Sequence, residues 1–99
     1  MSTETDESPR WTFLTNHGHV LLAIATNPNL RLRDIASLVG ITERTAMGII
    51  TDLEAAGYIE REKVGRRNHY HLKTDVPMRH PLEAHHMVGD LLGALEHRA

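Results

Sequence analysis

Arg44, Arg66 and Arg67 offer the clearest chemistry in this sequence. A guanidinium is a planar fork of donors that never loses its charge in a protein, and it matches phosphate oxygens and other paired acceptors. Arg44 stands among hydroxyl and small side chains, Thr42, Thr45, Gly48 and Thr51, with Met47 beside them. Arg66 and Arg67 follow Gly65 and precede Asn68 and His69. Imidazole and carboxylate offer a second chemistry, because the chain carries eight histidines and 13 acidic residues. Together these groups can ligate Zn or Ni. His86, Asp90 and His97 fall near one face if their segment is helical, whereas His17 and His19, two apart on a helix, point in different directions.

The chain has 99 residues and no Cys. That length predicts one domain with a modest core. Disulfides, thiolate metal sites and Cys nucleophiles are excluded. No apolar run is long enough to span a bilayer, and no basic-then-apolar leader opens the chain, so a cytoplasmic location is expected. Nucleotide-binding glycine loops, a nucleophile elbow and the His-Glu-x-x-His pattern are all missing, and an enzyme is not expected. The net charge of -2 argues mildly against a polyanionic partner, yet Arg61, Lys63, Arg66, Arg67 and Lys73 cluster in one stretch. Residues 1–10, with Glu4, Asp6 and Glu7, read as a disordered acidic tail.

The elements that must position these side chains follow from apolar spacing. Thr15 or Asn16 caps a first helix with Val20, Leu21, Ile24 and Ala25 turned inward, and Asn27-Pro28-Asn29 stops it. Leu30 to Leu32 alternates as a short strand would. A second helix over Arg33 to Val39 places Ile35, Ala36, Leu38 and Val39 inward and ends at Gly40. A third, about 42–56, starts on Thr42 and carries the stripe Ala46, Ile49, Ile50 and Leu53. "YIEREKV" and "HYHL" form a hairpin around the loop Gly65-Arg66-Arg67-Asn68. The predicted class is mainly α with a small β-hairpin (α+β).

Two helices joined by so tight a turn must cross steeply, which is the helix-turn-helix pattern. The run from Ile35 to Leu72 resembles the winged-helix core of small bacterial regulators of the MarR and ArsR type. Ala36, Gly40, Leu53, Gly57-Tyr58-Ile59, Gly65-Arg66-Arg67, Tyr70 and Leu72 carry the resemblance. It implies a sequence-specific regulator that binds double-stranded DNA. The third helix would enter the major groove, where Arg44 could take guanine N7 and O6, Thr45 and Thr51 could reach phosphate or a thymine methyl, and Gly48 could allow close approach. Thr42 and Met47 flank that surface. The wing at 65–68, with His69 beside it, would lie on the backbone or minor groove.

His80-Pro81 predicts a last helix running to about His97, with Ala84, Val88, Leu91, Leu92 and Leu95 on one stripe. The winged core is expected to close without that helix, leaving the stripe to pair with a second copy. The expected organisation is therefore a tail (1–10), a winged helix-turn-helix domain (11–75) and a dimerisation helix (76–99). No cofactor is expected. Metal binding by His86, Asp90 and His97, or a winged helix serving only a protein partner, is the alternative. A small-molecule or protein effector is left open.

Overall fold

Thr15 sets the first helix. Its backbone is extended, and its hydroxyl accepts from the Gly18 N–H at 3.3 Å, satisfying one of the unpaired donors of the first turn. Helix α1 then runs Asn16–Thr26. The computed structural model describes residues 10–96 and continues with α2 (Leu32–Val39), α3 (Glu43–Ala55), β1 (Ile59–Val64), β2 (Arg67–Leu72) and α4 (Val88–Leu95). The class is α+β, as expected. The acidic tail falls outside the described residues except for Arg10, which is exposed. No helix among the described residues is long and apolar enough to cross a membrane.

Within α1, Val20, Leu21, Ala23 and Ile24 are buried. Ala25, predicted inward, is exposed, because a position five residues after Val20 has rotated off the stripe and Ala23 faces the core instead. The Asn27 side chain closes the helix end by accepting from the Asn29 N–H at 3.0 Å. The strand predicted over Leu30 to Leu32 does not form. Asp34 reaches back to accept from the Arg31 N–H at 3.3 Å, so Arg31 becomes the residue that caps α2, and the helix begins at Leu32. A helix start outcompetes a three-residue alternation. What remains of strand pairing there is one bond, from the Tyr70 N–H to the Pro28 carbonyl at 3.2 Å.

Ile35 and Ala36 of α2 are buried and Val39 is half-buried, but Leu38 is 66% exposed, contrary to its predicted inward position. Gly40 makes the turn with φ 87°, the left-handed region that costs a side-chain-bearing residue about 1–2 kcal/mol. Its N–H and that of Ile41 both bond the Ala36 carbonyl, at 2.8 and 3.0 Å. Thr42 caps α3, accepting from the Thr45 N–H at 3.0 Å. Ala46, Ile49, Ile50 and Leu53 are all buried as their spacing requires.

The hairpin pairs Ile59 with Leu72 through to Val64 with Arg67. Its loop is therefore only Gly65-Arg66, shorter than predicted, and Arg67 and Asn68 belong to β2. Gly65 at φ 64° supplies the left-handed first residue that a tight two-residue hairpin needs. Ile59 and Tyr70 enter the core, and the buried Tyr58 donates its hydroxyl to the Pro77 carbonyl at 2.7 Å.

The C-terminal segment departs furthest from expectation. The predicted helix from Pro81 is replaced by turns, and only Val88–Leu95 is helical. Antiparallel bonds hold the segment: Met78 N–H to the His86 carbonyl at 3.1 Å, and Val88 N–H to the Val76 carbonyl at 2.8 Å. A chain bridged at Pro77 and Met87 cannot also be helical at Met87. Ala84 is thus exposed in a turn and off the helix. Val88 and Leu92 pack into the core with α1 and α3 residues, so α4 contributes to that core.

Two glycines differ in what a side chain would cost them. Gly40→Ala should cost about 1–2 kcal/mol through backbone strain. Gly48 lies in α3 with nothing within 4 Å of an added Cβ. Gly48→Ala should therefore stabilise the fold by up to about 1 kcal/mol. Urea unfolding followed by circular dichroism reads both.

Candidate nucleic-acid interface

Because α3 buries one stripe, its other side is fixed by helical geometry. Arg44, Gly48, Thr51 and Ala55 lie opposite the core and are exposed. Arg44 makes no hydrogen bond or ion pair among the described residues. The two flanks of the helix are tied to different neighbours. On one, Met47 is half-buried and its Sδ receives Arg61 Nη1 at 3.6 Å, while Arg61 Nη2 bonds Glu54 at 2.8 Å. On the other, Asp52 stands 2.8 Å from Nε2 of His17 on α1. Two of the three α3 carboxylates, Asp52 and Glu54, are thus engaged at the flanks, and the central exposed strip of α3 carries no carboxylate between Arg44 and Ala55. Thr45 is exposed and its hydroxyl accepts from that of Thr42 at 3.0 Å, so both hydroxyls are engaged in the cap.

The wing residues divide. Arg66 sits at the turn, exposed, with no partner among the described residues. Arg67 points its Nη2 onto the Asn29 carbonyl at 2.6 Å. His69 Nδ1 lies 2.5 Å from Oδ1 of the same Asn29. Arg67 and His69 therefore fasten β2 to the loop after α1, and Arg66 is the one left projecting. Asn68 is half-buried beside them. The outer hairpin face also carries the pairs His71–Glu62 at 2.6 Å and Lys73–Glu60 at 3.3 Å, exposed contacts worth at most about 1 kcal/mol each.

The fold adds a residue that spacing did not single out. Arg31 lines a cleft of about 370 Å³ together with Arg66 and Arg67, between the start of α2 and the wing. It lies far from the wing in sequence, and nothing local to Leu30-Arg31-Leu32 signals that proximity. For a metal the geometry is poorer. His86 Nδ1 is 3.6 Å from Asp90, but His86 precedes α4, and His97 lies outside the described residues. No group of three His, Asp or Glu side chains suited to a metal ion occurs among the described residues.

A MarR family model matches residues 12–67, more than half of the chain. The chain belongs to the MarR family. Members of this family are transcription regulators and not enzymes. Among solved structures it is similar to MepR, a transcription regulator of the Staphylococcus aureus multidrug efflux pump MepA, at 27% identity and a TM-score of 0.53. That match covers 60% of this chain and 46% of MepR, so the chain corresponds to about half of that protein. A comparison with curated proteins finds no match. The matched region in this MarR-family chain includes α1, α2, α3, β1, the wing turn and the first residue of β2, and so contains Arg31, Arg44, Arg66 and Arg67.

The division of the wing makes a measurable difference. Arg66→Ala should leave stability within about 0.5 kcal/mol of the parent, as for an unpaired surface side chain. Arg67→Ala should cost about 0.5–1.5 kcal/mol, the net worth of its bond to Asn29. Amide exchange at the β2 residues should quicken in the second variant alone.

Proposed function

We propose that this chain is a cytoplasmic, sequence-specific regulator that binds duplex DNA as a homodimer. α3 lies in the major groove, and the wing lies on the backbone and minor groove. The observation that carries the reading is the exposed strip of α3. It presents Arg44 unpaired in a MarR-family fold whose wing projects a second unpaired arginine, Arg66. Arg44 is suited to a guanine edge through its planar fork. Gly48, open above and without a side chain, lets the groove floor come close. Thr51 offers a hydroxyl and a methyl for phosphate or thymine contact. Thr42 and Thr45 orient the helix start, while Met47, held by Arg61, borders the contact surface.

Selection of bound sequences from a random duplex library, repeated with Arg44→Ala, tests this reading. Base contacts specify and phosphate contacts position, so the variant should lose discrimination at one or two base pairs, about 1–3 kcal/mol each, with little change in non-specific affinity. Uniform weakening on all sequences would move Arg44 to the backbone. Failure of the parent to enrich any duplex would leave the protein-interaction alternative.

Pairing of two copies is supported by apolar side chains left outside the core. Leu95 is 48% exposed and Leu82 is 81% exposed. Leu91 is half-buried beside them in sequence. Val88 and Leu92 contribute indirectly, by fixing α4 on the domain. A two-fold pair would set two α3 helices about 34 Å apart, matching a palindromic site. Sedimentation should show Leu95→Glu shifting the parent toward monomer without unfolding it. Leu92→Glu should unfold the domain. An unchanged dimer with Leu91→Glu and Leu95→Glu together would place the interface elsewhere.

A further inference from the structure

We propose that the cleft between α2 and the wing is a seat for one phosphate of the DNA backbone, with Arg31 as its inner donor. The inference rests on the DNA-binding reading above and adds a residue and a contact to it. Arg31, Arg66 and Arg67 line this cleft of about 370 Å³, whose other walls include Leu30, Leu32 and Tyr70. No carboxylate lines it. Arg67 spends one guanidinium nitrogen on the Asn29 carbonyl, at 2.6 Å. The side chains of Arg31 and Arg66 have no partner among the described residues. Three like charges around one concavity repel each other, and an oxyanion placed between them relieves that repulsion while accepting several charge-assisted bonds.

The cleft also has a rigid side and a projecting side. Arg31 stands at the cap of α2, where its own N–H is held by Asp34 at 3.3 Å. Arg66 stands at the wing turn. A phosphate seated between them would tie the wing to the helix-turn-helix and fix the distance from the wing to α3. Arg33, two residues further on in α2, is exposed and does not line the cleft. It carries the same charge and is the natural control.

The experiment compares the full chain with Arg31→Gln and Arg33→Gln on one duplex over a range of salt. Each phosphate contact contributes about 0.9 to the logarithmic salt slope. Arg31→Gln should lower the slope by about that amount and weaken binding several-fold, whereas Arg33→Gln should do neither. Arg31→Lys, which keeps the charge, should restore most of the slope. Duplexes bearing a neutral methylphosphonate at single positions should reveal one phosphate whose neutralisation weakens the parent but not Arg31→Gln. In the unmodified protein, duplex DNA should protect Arg31 from an arginine-specific dicarbonyl reagent and leave Arg33 reactive, a readout that does not depend on a variant folding. Equal effects of Arg31→Gln and Arg33→Gln, or an unprotected Arg31 in a protein that binds DNA, would overturn the seat while leaving the DNA-binding reading intact. If inorganic phosphate alone protects Arg31 and DNA does not, the cleft holds a free anion and the backbone contact is wrong. A parent that binds no duplex removes both readings.

Discussion

Burial of the α3 stripe is the constraint from which the rest of the structure follows. Ile49, Ile50 and Leu53 share one buried cluster with Ile24 of α1, Ile35 of α2 and Ile59 of the hairpin, and Ala46 is buried on the same stripe. Each large apolar side chain removed from water stabilises the fold by about 1.5–3 kcal/mol, and a helix can turn only one stripe inward. Once that stripe is committed, Arg44, Gly48 and Thr51 have nowhere to go but outward. The turn at Gly40, with φ 87°, then sets how steeply α2 and α3 cross.

The polar contacts refine what burial establishes. Glu54 and Asp52 could have opposed an anionic partner on the exposed side of α3. Each is drawn to a flank, one by Arg61 on β1 and the other by His17 on α1. These are exposed or half-exposed pairs, and their worth to stability is small. Their effect is on the field at the surface: they leave Arg44 as the uncompensated charge on the central strip. Asn29 has a similar double use. One carbonyl and one side-chain oxygen hold Arg67 and His69, which positions the wing while leaving Arg66 free at its tip.

A chain with net charge -2 can therefore present a locally cationic surface. The arginines at positions 31, 44 and 66 are unpaired among the described residues, and Asp52 and Glu54 of α3 are engaged by His17 and Arg61. Net charge describes long-range steering, whereas contact depends on which charges remain unpaired at the surface. That difference reconciles the slightly acidic composition with membership in a family of transcription regulators.

Much of this was legible in the sequence because it depends on local rules. Thr15 and Thr42 are caps by chemistry, Gly40 and Gly65 occupy conformations other residues avoid, and the α3 stripe is a period that only a helix can bury on one side. Those features determined the helix-turn-helix and hairpin, and with them the candidate surface of Arg44, Gly48, Thr51 and Arg66. Tertiary structure decided what local pattern could not. Leu30 to Leu32 had the alternation of a strand, but the Asp34 carboxylate made it a helix start. The stretch after His80 had helical spacing, but backbone pairing of Val76 with Val88 and of Met78 with His86 captured it first. Val88 and Leu92 had the look of a free stripe until the core took them. Arg31 had no distinguishing neighbour in the sequence, and only the docking of the wing against the start of α2 brought it to Arg66 and Arg67. In each case a contact between residues distant in sequence, or a competing hydrogen bond, outweighed the spacing of apolar residues along one segment.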